Sequence, residues 1–174
     1  MGEKARPNAT VTVKTSWNGQ TYKFSSDGKG GWSLTVSTPV AGGPYKIIFN
    51  DGELLTLQNV LIGEVWFCSG QSNMEMPMGC FDRQPVRGAN DIIAKAKPST
   101  PIRMYTTDSK DGRWVRQFSK TPAEDCQGEW LENTPVNVSH ISAVSYYFAR
   151  YIQEVLEVPV ASSFHVGRSK VRHG

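Results

Sequence analysis

The chain has 174 residues, with 19 Lys and Arg against 16 Asp and Glu and a formal charge of +3, a balance that favours no polyanion partner. With 39% hydrophobic and 20% charged residues it falls in the globular range, outside the disordered and membrane classes. At this length roughly 70% of the extended-chain surface can be buried, which suits one domain or two small ones and excludes a large enzyme with all its loops.

The start, Met1-Gly2-Glu3-Lys4-Ala5-Arg6, has no apolar stretch after its charges, so no signal peptide is read there. As written, the chain is cytoplasmic or has lost an export signal. No run approaches ~18 apolar residues, so no membrane partner is expected. Cys68, Cys80 and Cys126 form no C-x-x-C pair, which argues against a disulfide framework or a zinc knuckle.

Residues 1–59 read as strands and turns, part of a β-sandwich. Val11 and Val13 alternate with threonines, Trp32, Leu34 and Val36 alternate with Ser33 and Thr35, and Tyr45, Ile47 and Phe49 repeat the period of two. Asn18-Gly19, Asp27-Gly28, Gly30-Gly31, Gly42-Gly43 and Asn50-Asp51-Gly52 supply the positive-φ residues that tight hairpins need.

The texture changes at Val60. The nearly continuous apolar run from Val60 to Cys68 suits a strand buried on both faces, as in a parallel sheet flanked by helices. A segment rich in Ala and Lys, Ala89 to Lys97, leads towards Ile102-Arg103-Met104-Tyr105, the next strand of a βαβ unit. From Ser142 to Leu156 apolar residues recur at three and four, which predicts a helix with Ser142 as N-cap, and Val158-Pro159-Val160 opens another strand. The expected organisation is therefore 1–59 β-sandwich-like, 60–160 α/β, and 161–174 a divergent tail.

Directly after the apolar run comes Ser69-Gly70-Gln71-Ser72-Asn73-Met74-Glu75-Met76. In open α/β sheets ligands bind beyond the carboxyl ends of the strands, so a G-x-S turn there puts the Ser72 hydroxyl within reach of a substrate. Gly70 would let the backbone turn sharply, and the Ser72 backbone N–H could help hold the oxyanion formed when its own oxygen attacks an ester carbonyl. The plainer reading is a strand-to-helix turn capped by Ser72 or Asn73. Met74 occupies the place of the second glycine of G-x-S-x-G, so the nucleophile-elbow motif is incomplete.

The longer string NVLIGEVWFCSGQSNMEMPM, residues 59–78, resembles the first conserved block of the sialate O-acetylesterase family, a branch of the SGNH (GDSL-type) hydrolases. Similarity extends to Gly42-Gly43-Pro44-Tyr45 upstream and to Ile102-Arg103-Met104-Tyr105, Trp130 and residues 142–150 downstream. The resemblance implies a serine esterase that removes acetyl groups from sugar hydroxyls, an acetylated carbohydrate as partner, and no cofactor or metal. It implies Ser72 as nucleophile, with Gly70, Gln71 and Asn73 supporting its turn. The fold it implies is α/β with an N-terminal β-rich part: a partial β-sandwich followed by the first part of a flavodoxin-like parallel sheet. It also suggests a secreted or periplasmic setting.

The resemblance further implies a glycine and an asparagine from later blocks and a D-x-x-H base. Gly167 is the best match to the second-block glycine, and no D-x-x-H occurs. The nearest string, Asn137-Val138-Ser139-His140, makes His140 a loop or capping residue, while His165 and His173 fall in the divergent tail. The expectation is a C-terminally truncated chain whose own esterase activity is nearly absent. Arg168, Lys170, Arg172 and His173 read as a solvated end without a nucleic-acid motif, and Asp108 and Asp111 as turn residues. The alternative function is a noncatalytic carbohydrate-binding module in which Trp17, Tyr22, Trp32 and Tyr45 stack on sugar rings, against the simpler reading of these aromatics as core.

Overall fold

The computed structural model describes residues 5–107, 109–110, 113–114 and 128–166. The chain divides into two units, residues 1–62 and 63–174. Each folds around its own sheet.

The first unit holds β1 (Thr10–Thr15), β2 (Thr21–Ser25), β3 (Gly42–Asn50) and β4 (Leu54–Ile62), antiparallel in the order β2-β1-β3-β4. Val11, Val13 and Thr15 point inward from β1 and are buried, as its alternating sequence dictates. The hairpins fall at Asn18-Gly19 and at Asn50-Asp51-Gly52, with positive φ at Gly19 and Gly52. Backbone N–H groups of Arg6 and Glu53 donate to the Asp51 carboxylate and hold its pKa below the usual value of 3.8.

Two expectations for this unit are corrected. Residues 31–39 form no regular strand, although Trp32, Leu34 and Val36 are half-buried and Ser33 and Thr35 exposed. Trp32 packs against Phe24 and Phe49, at centroid separations of 5.2 and 5.8 Å, so the alternation here records burial on the sheet face and not a ladder. Gly42-Gly43 opens β3 instead of forming a hairpin turn, at an irregular stretch of the β3–β4 register. A Cβ on Gly43 would stand 2.8 Å from the Val60 carbonyl oxygen, so the close strand approach requires glycine.

The second unit contains β5 (Glu64–Gly70), α1 (Ser72–Glu75), α2 (Ala89–Lys95), β6 (Ile102–Thr107), β7 (Ser109–Lys110), β8 (Arg113–Trp114), β9 (Gly128–Glu132), α3 (Pro135–His140), α4 (Ala143–Leu156) and β10 (Val160–Val166). Its main sheet runs β5-β10-β6-β9, with β5, β10 and β6 parallel and β9 antiparallel, so it is mixed and not purely parallel. α4 starts where the sequence places it: the Ser142 hydroxyl accepts from Ser145 N–H, and Glu157, at φ 54°, ends it. α3 likewise has Thr134 as its N-cap and Pro135 in its first turn.

Ile102, Met104, Val160, Met78, Tyr146 and Ala149 belong to one buried cluster that joins the sheet to its helices. Ile102, Met104 and Met78 are wholly enclosed, each worth roughly 1.5–3 kcal/mol of apolar burial.

The apolar run from Val60 to Cys68 is not one strand buried on both faces. It is divided at Gly63 between β4 and β5, and a Cβ on Gly63 would lie 2.0 Å from the Pro159 carbonyl oxygen. β5 occupies a sheet edge, where Val65 is 73% and Phe67 69% exposed. The other face of β5 is the packed one: Trp66 meets Phe148 edge-on at 5.1 Å, and Cys68 lies against the core.

Candidate active site

β5 ends at Gly70, Gln71 stands in a non-helical conformation, and Ser72 opens the single turn α1. The parallel register sets His165 beside Ser69 and Val166 beside Gly70, so β10 finishes level with β5 at the end of the sheet that carries Ser72. This is where the open α/β architecture gathers ligands. Gln71, Ser72 and Asn73 are exposed, and the Ser72 hydroxyl has no hydrogen-bond partner among the described residues.

Gly70 closes β5 immediately ahead of this turn. It is absent from the positive-φ residues; instead, a Cβ there would approach Met74 Cβ to 3.2 Å. Its value is space for Met74. The turn is closed by Glu75 N–H donating to the Gln71 carbonyl at 3.0 Å.

What fixes this turn from beneath has no local signature. Ser142 donates to Met74 Sδ at 3.1 Å, and Ala143 N–H to the Met76 carbonyl at 2.7 Å. Pro77 forms an antiparallel bridge with Ser142, and Met78 and Gly79 N–H groups donate to the Ile141 and Ser139 carbonyls. The segment after Ser72 is thus laced to the joint between α3 and α4. A second buried polar link joins Ser145 to Ser162, whose hydroxyl also meets Cys68 Sγ at 3.8 Å. The sequence reading missed Ser142 as a support for this turn; the pairing of Met74 with a residue 68 positions away is its structural basis.

The remaining candidates do not assemble around Ser72. His140 is the exposed last residue of α3, in a helix and not a loop, and makes no hydrogen bond to Ser72. His165 enters through its backbone register alone, and Gly167, His173, Asp108, Asp111, Cys126 and the basic tail lie outside the described residues. Cys68 and Cys80 are free thiols. Among the described residues no cluster of His, Cys, Asp and Glu is placed to hold a metal, and no helix is long and apolar enough to cross a membrane. A groove of 330 Å³ lies elsewhere, between α2 and α4, lined by Lys95, Arg150 and Tyr151 among others, and none of its residues belongs to the Ser72 turn.

The aromatics proposed for sugar stacking are engaged internally. Trp17 meets Tyr45 edge-on at 5.6 Å and donates from its indole to the Ser37 carbonyl, while Trp32 covers Phe24 and Phe49. Tyr22 donates from its hydroxyl to the Gln20 side chain, all four aromatics are half-buried and not part of the enclosed core, and the binding-module alternative is not favoured.

No family model matches the chain. Among curated proteins it is similar to the sialate O-acetylesterases of Pongo abelii and Homo sapiens, each 26% identical over 88% of this chain and 30% of the relative, and of Rattus norvegicus, 27% identical over 87% and 29%. Among solved structures it is similar to a carbohydrate acetylesterase from Xanthomonas citri, with a TM-score of 0.78 and 27% identity, covering 93% of this chain and 34% of that one. The chain spans about a third of the length of these proteins.

Proposed function

We propose that this chain, which is similar to sialate O-acetylesterases and to a carbohydrate acetylesterase, is the nucleophile-bearing portion of a carbohydrate O-acetylesterase of the SGNH type, with Ser72 as nucleophile. The observation that carries this reading is the exposed Ser72 hydroxyl immediately beyond the carboxyl end of β5, beside the end of β10.

In the proposed reaction Ser72 Oγ attacks the acetyl carbonyl carbon as its proton passes to a base. The Ser72 backbone N–H donates to the resulting oxyanion. Collapse breaks the bond to the sugar oxygen, which takes the proton from the base, and leaves an acetyl-serine. Water activated by the same base then releases acetate and restores Ser72. Gly70 and the Met74–Ser142 contact hold the attacking oxygen in place, and Gln71 and Asn73 border it.

The weak point of this portion is the base. The sequence contains no D-x-x-H, and the Ser72 hydroxyl is unpartnered among the described residues. Loss of a triad histidine lowers turnover by on the order of 10⁴ to 10⁶ in serine hydrolases. The isolated chain should therefore hydrolyse a simple acetyl ester at the negligible rate of its Ser72→Ala variant. Robust turnover that depends on Ser72 would overturn the claim that the base comes from elsewhere.

A further inference from the structure

The groove between α2 and α4 has the make-up of a ligand site and takes no part in the Ser72 turn. Its volume, 330 Å³, falls at the lower end of the range of about 300–1,000 Å³ usual for small-molecule sites. α4 contributes Tyr147, Arg150, Tyr151 and Glu154, which share one face of the helix at spacings of three and four, and α2 contributes Ile92 and Lys95. A recess of 160 Å³ adjoins the groove, shares Lys95, Arg150 and Glu154 with it, and reaches down to Asn133 and Tyr146.

The walls are fixed by contacts within the protein. Tyr147 donates from its hydroxyl to the Arg87 carbonyl at 3.0 Å, and Tyr147 and Ile92 pack against the core. In the recess Tyr146 donates to Asn133 at 2.8 Å, and the Asn133 amide donates to the Lys97 carbonyl at 3.1 Å. The charged groups, by contrast, are only partly engaged. Arg150 uses Nε alone, donating to Glu154 Oε1 at 2.7 Å. Its two terminal nitrogens, the Lys95 ammonium and the Tyr151 hydroxyl have no partner among the described residues. With Nε held by Glu154, the terminal nitrogens form a fork that matches a carboxylate.

These groups select the ligand. Two cations against one carboxylate leave the groove with a single net positive charge, which one carboxylate neutralises and a phosphate dianion beside Glu154 overfills. Ile92 and the tyrosine rings offer an apolar surface that a small bare anion would leave uncovered, and the second Glu154 oxygen can accept from a hydroxyl. A pyranose ring with one apolar face, hydroxyls on its rim and a carboxylate meets all three demands. We propose that the α2–α4 groove is a noncatalytic binding site for a carboxylated sugar of the uronic-acid type. Its carboxylate lies between Lys95 and Arg150, its ring lies against Tyr151, and a ring hydroxyl donates to Glu154. The inference goes beyond the reading of Ser72 and does not rest on it.

The test is isothermal titration calorimetry of the full 174-residue chain with methyl β-D-glucuronide at low salt. The expected result is saturable one-to-one binding with a Kd at or below about 1 mM, and at least about tenfold weaker binding of methyl β-D-glucoside, benzoate and inorganic phosphate. Lys95→Glu and Tyr151→Ala, at exposed positions on different helices, should each weaken glucuronide binding at least about tenfold while leaving the circular dichroism unchanged. Ser72→Ala should bind the glucuronide as the parent chain does, because no groove residue belongs to that turn. A folded chain that shows no saturation, phosphate or benzoate bound as tightly as the glucuronide, binding indifferent to both groove substitutions, or binding lost with Ser72→Ala would each overturn the proposal. The readout is binding of a sugar without an acetyl ester, so its failure is separate from any failure of the proposed chemistry.

Discussion

The Ser142 hydroxyl donates to Met74 Sδ across 3.1 Å and also caps α4 by accepting from Ser145 N–H, so one buried side chain serves both the helix and the turn that carries Ser72. Ser142 is fully enclosed, and water cannot replace either contact. Ser142→Ala should cost about 1–2 kcal/mol, the range for a lost N-cap, read as a lower urea midpoint at unchanged slope. A change within about 0.3 kcal/mol would show that the cap and its thioether contact contribute little.

Glycines at the two ends of β5 should respond unequally. At Gly63 an added Cβ meets a backbone oxygen at 2.0 Å, which the chain can relieve only by moving β5 away from Pro159; at Gly70 it meets the Met74 side chain at 3.2 Å. Gly63→Ala should therefore destabilise by at least about 2 kcal/mol, and Gly70→Ala by about 1 kcal/mol or less, in chemical denaturation. Equal losses would contradict the packing described for Gly63.

Tyr146 supplies a pH-dependent prediction. Burial pushes its phenol above the usual 10.0, partly opposed by Arg150 and by the bond to Asn133, to which it donates at 2.8 Å. An acid whose native pKa is raised keeps its proton after the unfolded chain has released its own. Its contribution is present below the unfolded value and is lost as pH rises from about 10 through the raised native value. Thermal unfolding should thus show stability falling above about pH 10, with a smaller fall in Tyr146→Phe. At neutral pH that variant should lose about 1–3 kcal/mol, because the buried Asn133 carbonyl is left without its donor.

Local pattern made much of this molecule legible. Period-two alternation found the β1 and β3 faces, and three-four spacing with a serine cap found α4. The same alternation misassigned Trp32 to Val36, because a segment that lays its aromatic on a sheet face is buried like a strand without pairing as one. The run from Val60 to Cys68 hid a junction, since a steric requirement at Gly63 imposed by distant Pro159 leaves no mark in hydropathy.

For the site, family resemblance singled out Ser72, and the strand-end argument put its hydroxyl at the carboxyl end of β5, where it is exposed. The support from Ser142 remained invisible because its partner Met74 is far away in sequence. Gly70 was singled out for a sharp turn; what hydropathy and spacing did not show is its close approach to Met74, whose Cβ would lie 3.2 Å from a Cβ added there.

The central claim is that Ser72 attacks an acetylated sugar once a base is supplied. It is tested most directly by replacing the matched third of the Xanthomonas citri carbohydrate acetylesterase with this chain and measuring acetate release from an acetylated sugar, with and without Ser72→Ala. Turnover in the chimera should fall at least about 10³-fold in the variant. A folded chimera that is inactive, or whose activity survives the loss of Ser72, would contradict the claim.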